Sequence, residues 1–140
     1  MKKKIMIVAL LGVILTSGML TVYAASQKFT TSLSINSNSS LSGEKREHKY
    51  DKQRITFKWT EIGKLSNTDP YLNVTLMKKG LLFYDDIAFN KLVVKPNTVE
   101  SALHYGSTGS GKYYFKFNTQ NGGTPTGYFK ANPVYIESFE

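Results

Sequence analysis

The sequence predicts an all-β fold: a two-sheet antiparallel β-sandwich, jelly-roll or immunoglobulin-like, of about seven or eight short strands behind an N-terminal signal peptide. Three observations predict it. Apolar residues recur at every second position through most of the chain. Clusters of Gly, Pro, Asn and Ser punctuate these runs at short intervals. Only one short stretch carries a helix-start pattern.

The chain opens on Lys2, Lys3 and Lys4, continues with an uninterrupted apolar run over residues 5–15, and tapers to Val22-Tyr23-Ala24. A positive region, an apolar region and small residues at a cleavage site are the parts of a secretory signal peptide, so the expected cut falls between Ala24 and Ala25. The apolar run is shorter than the roughly 20 residues that a spanning helix needs, and no basic flank follows it. The 140 residues then divide into a cleaved leader, 1–24, and a single secreted domain, 25–140.

The chain has no cysteine. Small eukaryotic extracellular domains usually rely on disulfides, so a bacterial exporter is expected, and the glycosylation patterns at Asn38 and Asn73 are then inert. The leader takes three lysines and no acid with it, which lowers the net charge from +8 to +5. A moderately basic secreted domain suits anionic partners.

Each strand follows from its alternation. Phe29, Thr31, Leu33 and Ile35 share one parity, as do Ile55, Phe57 and Trp59, and then Leu72, Val74 and Leu76. Lys78-Lys79-Gly80 reads as a hairpin turn, with Leu81, Leu82 and Phe83 starting the return strand. Leu92 and Val94 point inward from a strand closed by Pro96. Tyr113, Phe115 and Phe117 alternate with Lys112, Tyr114 and Lys116, a turn-rich loop follows over residues 120–127, and residues 128–131 and 134–139 complete the set. The expected core is Leu33, Ile55, Phe57, Trp59, Val74, Leu76, Leu92, Val94, Phe115, Phe117 and Ile136. The helix-start pattern is at residues 97–103, where Asn97 and Glu100 have capping-box spacing; a single turn is expected there. Residues 36–43 read as a loop, and the mixed charges of residues 44–54 as a solvated loop or edge strand.

The motifs exclude more than they assign. Gly106, Gly111 and Lys112 match the spacing of a phosphate-binding loop, but Tyr113 stands where the magnesium-binding hydroxyl belongs and a strand, not a helix, follows. No nucleotide is expected. His48 and His104 are far apart and have no metal-ligand spacing, and no nucleophile elbow occurs. Asp85 and Asp86, being adjacent, point to opposite sides of a strand. No catalytic residue, metal or cofactor is expected.

The most distinctive pattern is Lys112, Tyr114 and Lys116 on the outward parity of one strand, with Tyr128 and Lys130 on that of the next. Paired as the last hairpin, these five form one exposed basic–aromatic face suited to a glycan or anionic polymer, by stacking and charge. The expected function is therefore that of a secreted, non-enzymatic binding module contacting the cell envelope or another extracellular anionic or glycan partner, free in the medium or associated with the wall. No stable membrane insertion is expected after processing, because the polar–apolar alternation of residues 30–41 is too short and too weakly apolar. The alternative is a secreted effector, such as a small toxin, antimicrobial or inhibitor protein. A hydrolase that assembles Asp69, Asp85 or Glu100 in space is a third reading.

Overall fold

A computed structural model describes residues 25–140; the expected leader, 1–24, lies outside the described residues. The strands are β1 (Ser26–Ile35), β2 (Ser40–Ser42), β3 (Arg46–His48), β4 (Lys52–Gly63), β5 (Tyr71–Lys79), β6 (Tyr84–Val93), β7 (Glu100–Tyr105), β8 (Gly111–Asn118), β9 (Gln120–Asn121), β10 (Thr124–Pro125) and β11 (Tyr128–Phe139). The described residues contain no helix.

The first sheet runs β1-β11-β4-β7 and the second β2-β8-β5-β6, with β3 also paired to β8. All pairings are antiparallel. Taking β2 and β3 as two halves of one strand broken near Gly43, the pairs nest: β1 with β11, β2/β3 with β8, β4 with β7, β5 with β6. Nested pairing shared between two sheets is the jelly-roll arrangement, and it separates the two topologies that the periodicity left open.

The inward parities of both sheets form one core. Leu33, Ile55, Phe57, Trp59, Val74, Leu76, Val94, Phe115, Phe117 and Ile136 are all buried, and Leu92 packs against them. Aromatic rings bridge the sheets: Phe57 meets Phe117 edge-on at 6.1 Å, and Tyr105 meets Phe115 at 5.8 Å. Trp59 stacks on Phe57 at 4.8 Å while its indole N–H donates to Ser101 Oγ at 2.9 Å, so both its apolar body and its polar tip are accommodated in the interior.

Two local expectations are corrected. A single turn does bridge the two sheets, closed by Thr98 N–H to Lys95 O at 3.0 Å, but it lies at residues 95–98, and the rest of the stretch at 97–103 is strand, β7 beginning at Glu100. Its backbone is claimed by the neighbouring strand instead, starting where Trp59 N–H donates to Val99 O at 2.9 Å. A capping pattern spanning seven residues cannot outweigh a six-residue ladder that also places Leu103 against the core. The second correction concerns the β5–β6 turn. β5 continues through Lys78 and Lys79, and the chain reverses over residues 80–83, so Leu81, Leu82 and Phe83 form the tip and not the start of β6. Three apolar residues in a row read as strand, but the ladder continues pairing up to Lys79 with Tyr84.

Candidate functional site

The five residues expected to share a face do not share one. Lys112, Tyr114 and Lys116 lie on β8 in the second sheet, whereas Tyr128 and Lys130 lie on β11 in the first. In a jelly roll the last two long strands belong to opposite sheets, so residues 119–127 cross between the sheets, carrying only the short β9–β10 hairpin, and β8 does not pair with β11. That crossing is pinned by polar contacts. Buried Thr119 accepts the Ser39 N–H at 2.9 Å and donates to Asn36 O at 2.6 Å, and Thr126 donates to Tyr71 O at 2.7 Å.

Ion pairs are concentrated on the outer face of the first sheet. On the first sheet, Arg54, Lys58 and Lys130 each form an ion pair across the strands, with Glu137, Glu100 and Glu61 respectively. The hydrogen bond and charge of Glu61 raise the pKa of Lys130 above the ordinary lysine value. Tyr128 has a packing role: its ring covers Gly63 on the facing strand, where a Cβ would sit 2.0 Å from it. On the same face the Lys28 ammonium lies 3.9 Å from the centroid of Tyr135, and Lys52 forms no ion pair among the described residues.

On the second sheet two lysines, Lys91 and Lys45, lie on aromatic rings. The Lys91 ammonium is 4.0 Å from the centroid of Tyr71, and that of Lys45 is 4.8 Å from Tyr84 and 5.9 Å from Tyr114. Tyr84 and Tyr114 meet edge-on at 5.0 Å. Lys116 is exposed and forms no ion pair among the described residues. Register aligns Lys116, Thr75 and Phe89 in one cross-strand row, and Asn118, Asn73 and Lys91 in the next. Phe89 is 63% exposed, a ring open to solvent on the edge strand of this surface. With strands spaced about 4.8 Å apart and a rise of about 3.3 Å per residue, the platform from Tyr71 to Tyr114 measures roughly 10 by 20 Å.

Sequence reasoning found Lys112, Tyr114 and Lys116 but missed Tyr71, Lys91, Phe89, Tyr84 and Lys45. The outward parity of Lys91 was legible opposite Leu92. What was hidden is that β6 and β8 flank the same strand, β5, which only long-range pairing decides.

The glycine loop binds an anion of its own chain. Gly109, at φ +72°, donates its N–H to the Asp51 carboxylate at 2.8 Å, and Thr108 N–H donates to Asp51 O at 2.8 Å. Lys78 and Tyr113 hold the outside of the loop through Thr108 O, at 2.6 and 2.5 Å. Amides that a phosphate would need are thus committed to Asp51.

Two buried polar groups complete the inventory. His48 is buried between Phe29 and Tyr113, with ring centroids at 5.4 and 5.2 Å, and its Nδ1–H donates to Gln53 Oε1. Burial lowers its pKa below 6.5, the Gln53 bond opposing and Arg46 adding to the effect. Tyr105 faces a groove between β6 and β7 that is also lined by Asn90, His104 and Ser107. Burial raises its phenol to about 12. Asn90 lies near enough to offset part of that rise, yet the hydroxyl makes no hydrogen bond of ordinary geometry. No group of three or more His, Asp or Glu among the described residues is placed to hold a metal ion.

No family model matches the chain, and no curated protein does. Among solved structures it is similar to Aeromonas hydrophila PliG, a periplasmic lysozyme inhibitor of g-type lysozyme. The identity is 14% over 87% of this chain and 92% of that one, with a TM-score of 0.40. It is also similar to a chain of infectious bursal disease virus, Gx strain, at 8% identity and a TM-score of 0.45. That match covers 83% of this chain but 32% of the viral one. Likenesses this distant carry no argument about function, which rests on the surface itself.

Proposed function

We propose that the chain, exported and freed of residues 1–24, is a non-enzymatic binding module that docks an anionic polymer or glycan of the cell envelope. The docking surface is the outer face of β8, β5 and β6. One observation carries the reading: Lys45 and Lys91 lie over tyrosines near the exposed Phe89 ring, and neither they nor Lys116 forms an ion pair among the described residues, whereas on the first sheet Arg54, Lys58 and Lys130 are paired with carboxylates and one lysine, Lys28, lies over Tyr135. A cation resting on a ring keeps its charge available to an incoming anion, while the ring offers a stacking surface beside it. The flat, three-strand platform suits an extended ligand that lies across the sheet.

The test is sedimentation with washed Gram-positive cell walls at low and high salt. Replacing Lys91 and Lys116 together with Ser weakens binding most at low salt, because such charges act mainly through the encounter. Tyr114→Ala weakens it at both salt levels by removing a contact surface. If the double lysine variant sediments like the parent at low ionic strength, the face only solubilises the domain.

The alternative class, an effector that acts on another cell or protein, is favoured by a different feature, the exposed tip of the β5–β6 hairpin.

A further inference from the structure

The β5–β6 connection is a four-residue loop, residues 80–83, between the paired Lys79 and Tyr84. Gly80 N–H donates to Phe83 O at 2.6 Å, leaving Leu81 and Leu82 at the apex. Neither residue has positive φ, and loops of this length are built on turns that most residues can enter, so the backbone does not call for leucine there. The apolar side chains bring no packing in return: Leu81 is 97% exposed, Leu82 81% and Phe83 76%, and none belongs to the core cluster. Three adjacent exposed apolar side chains mark a contact site.

The residues behind the tip are layered. In the first row of the ladder Lys79 faces Tyr84. Tyr84 meets Tyr114, and Lys45 lies over both rings. Asp85 reaches toward the tip, its carboxylate close to Gly80, and Asp86 is paired with Met77 farther back. Lys78 is turned onto the glycine loop through Thr108 O. Moving back from the apex, one therefore meets aliphatic side chains and a Phe ring, then a collar of tyrosines in which Lys45 and Lys79 outnumber the one carboxylate, that of Asp85.

We propose that this hairpin tip dips into the surface of an anionic lipid bilayer, with Leu81, Leu82 and Phe83 among the upper acyl chains and the tyrosine–lysine collar at headgroup depth. Tyr and Lys are the side chains that partition to that depth, with apolar bodies and polar ends. The apex stands about two residues beyond the Lys79–Tyr84 row, roughly 7 Å at 3.3 Å per residue. That reach matches the roughly 5–10 Å to which interfacial elements bury their apolar face. A binding cleft on another protein would accept the apolar apex, but only an anionic surface extending on all sides also uses the lysine collar and the net positive charge of the domain. The contact is peripheral and reversible, distinct from a spanning segment. The two readings share Lys45, Tyr84 and Tyr114 at one end of the platform, but the lipid contact requires the apolar tip whereas the polymer contact requires Lys91 and Lys116, which lie away from it.

The experiment is co-sedimentation with vesicles of phosphatidylglycerol and phosphatidylcholine, and with phosphatidylcholine alone. The parent is expected to bind the anionic vesicles at least tenfold better. A variant carrying Leu81→Ser, Leu82→Ser and Phe83→Ser is expected to lose that binding with an unchanged thermal midpoint, because the tip contributes nothing to the core. Phe83→Trp adds a reporter whose emission shifts to the blue and is quenched by acyl-brominated lipid; the native Trp59 is buried and supplies a constant background. The proposal is overturned if the parent does not bind anionic vesicles, if the triple variant binds as well as the parent, or if the introduced indole escapes quenching. It is equally overturned if the tip variants lose only a protein partner and keep the vesicles. The triple variant retains Lys91 and Lys116, so failure here and failure of the wall-polymer reading are separable.

Discussion

Two buried tyrosines make the same substitution informative in opposite directions. Tyr113 and Tyr105 are each almost wholly removed from solvent. The Tyr113 hydroxyl donates into the glycine loop, shared between Thr108 O at 2.5 Å and Gly109 O at 2.6 Å. Tyr113→Phe removes that bond and leaves Gly109 O without it, while Thr108 O keeps the Lys78 ammonium. One net hydrogen bond plus a partly desolvated acceptor costs about 1–2 kcal/mol. The Tyr105 hydroxyl makes no hydrogen bond of ordinary geometry, with Asn90 its polar neighbour, so Tyr105→Phe removes mainly a desolvated dipole and is expected to be neutral or to stabilise by up to about 1 kcal/mol. The two variants should then differ by about 2 kcal/mol, or roughly 8 °C in Tm for a domain of this size. Urea unfolding followed through Trp59, the one tryptophan, measures both. If Tyr105→Phe destabilises as much as Tyr113→Phe, its hydroxyl has a partner and the reasoning fails.

Acid should loosen the domain through His48. Its folded pKa lies below the 6.5 of the unfolded chain, so the unfolded state takes up the proton first. Its contribution to stability is complete above about pH 6.5 and is lost as pH falls below that value. Urea midpoints between about pH 7.5 and 5.5 check this, and a slope unchanged in His48→Gln would contradict it. Phe115→Ala should cost about 3–5 kcal/mol, because the ring is buried between the two sheets; a loss under about 1 kcal/mol in chemical denaturation would show that the core collapses onto the gap. ATP should not bind, and Lys112→Ala should change nothing in calorimetric titration; a lysine-dependent affinity would mean that the loop amides are not committed to Asp51.

Periodicity carried the parts of this fold that depend on one strand at a time. The inward residues of β4, β5 and β8 could be read directly, because a strand with one buried face repeats every two residues. The partners of each strand could not, since alternation assigns a face but no neighbour. That is why Lys116 was recognised as outward while its row-mate Phe89 was missed, and why Tyr128 was assigned to the wrong sheet. The turn at residues 80–83 was misplaced for a different reason. Leu81 to Phe83 carry the composition of a strand, and only the ladder shows that they stand outside it. Where local sequence and observed structure disagree most sharply, the chain exposes the three most solvent-accessible large apolar side chains among the described residues.

The central claim is that the second sheet, and not the domain's charge as a whole, engages the envelope polymer. Two double variants with the same change in net charge decide it. Lys91→Ser with Lys116→Ser alters the tyrosine-flanked face, and Lys58→Ser with Lys130→Ser alters the ion-paired face of the first sheet. Both pairs are exposed, so neither should shift the fold appreciably. In cell-wall sedimentation at low salt the account predicts that the first variant loses binding and the second retains it. Equal losses in the two variants, or a loss confined to the second, would contradict it.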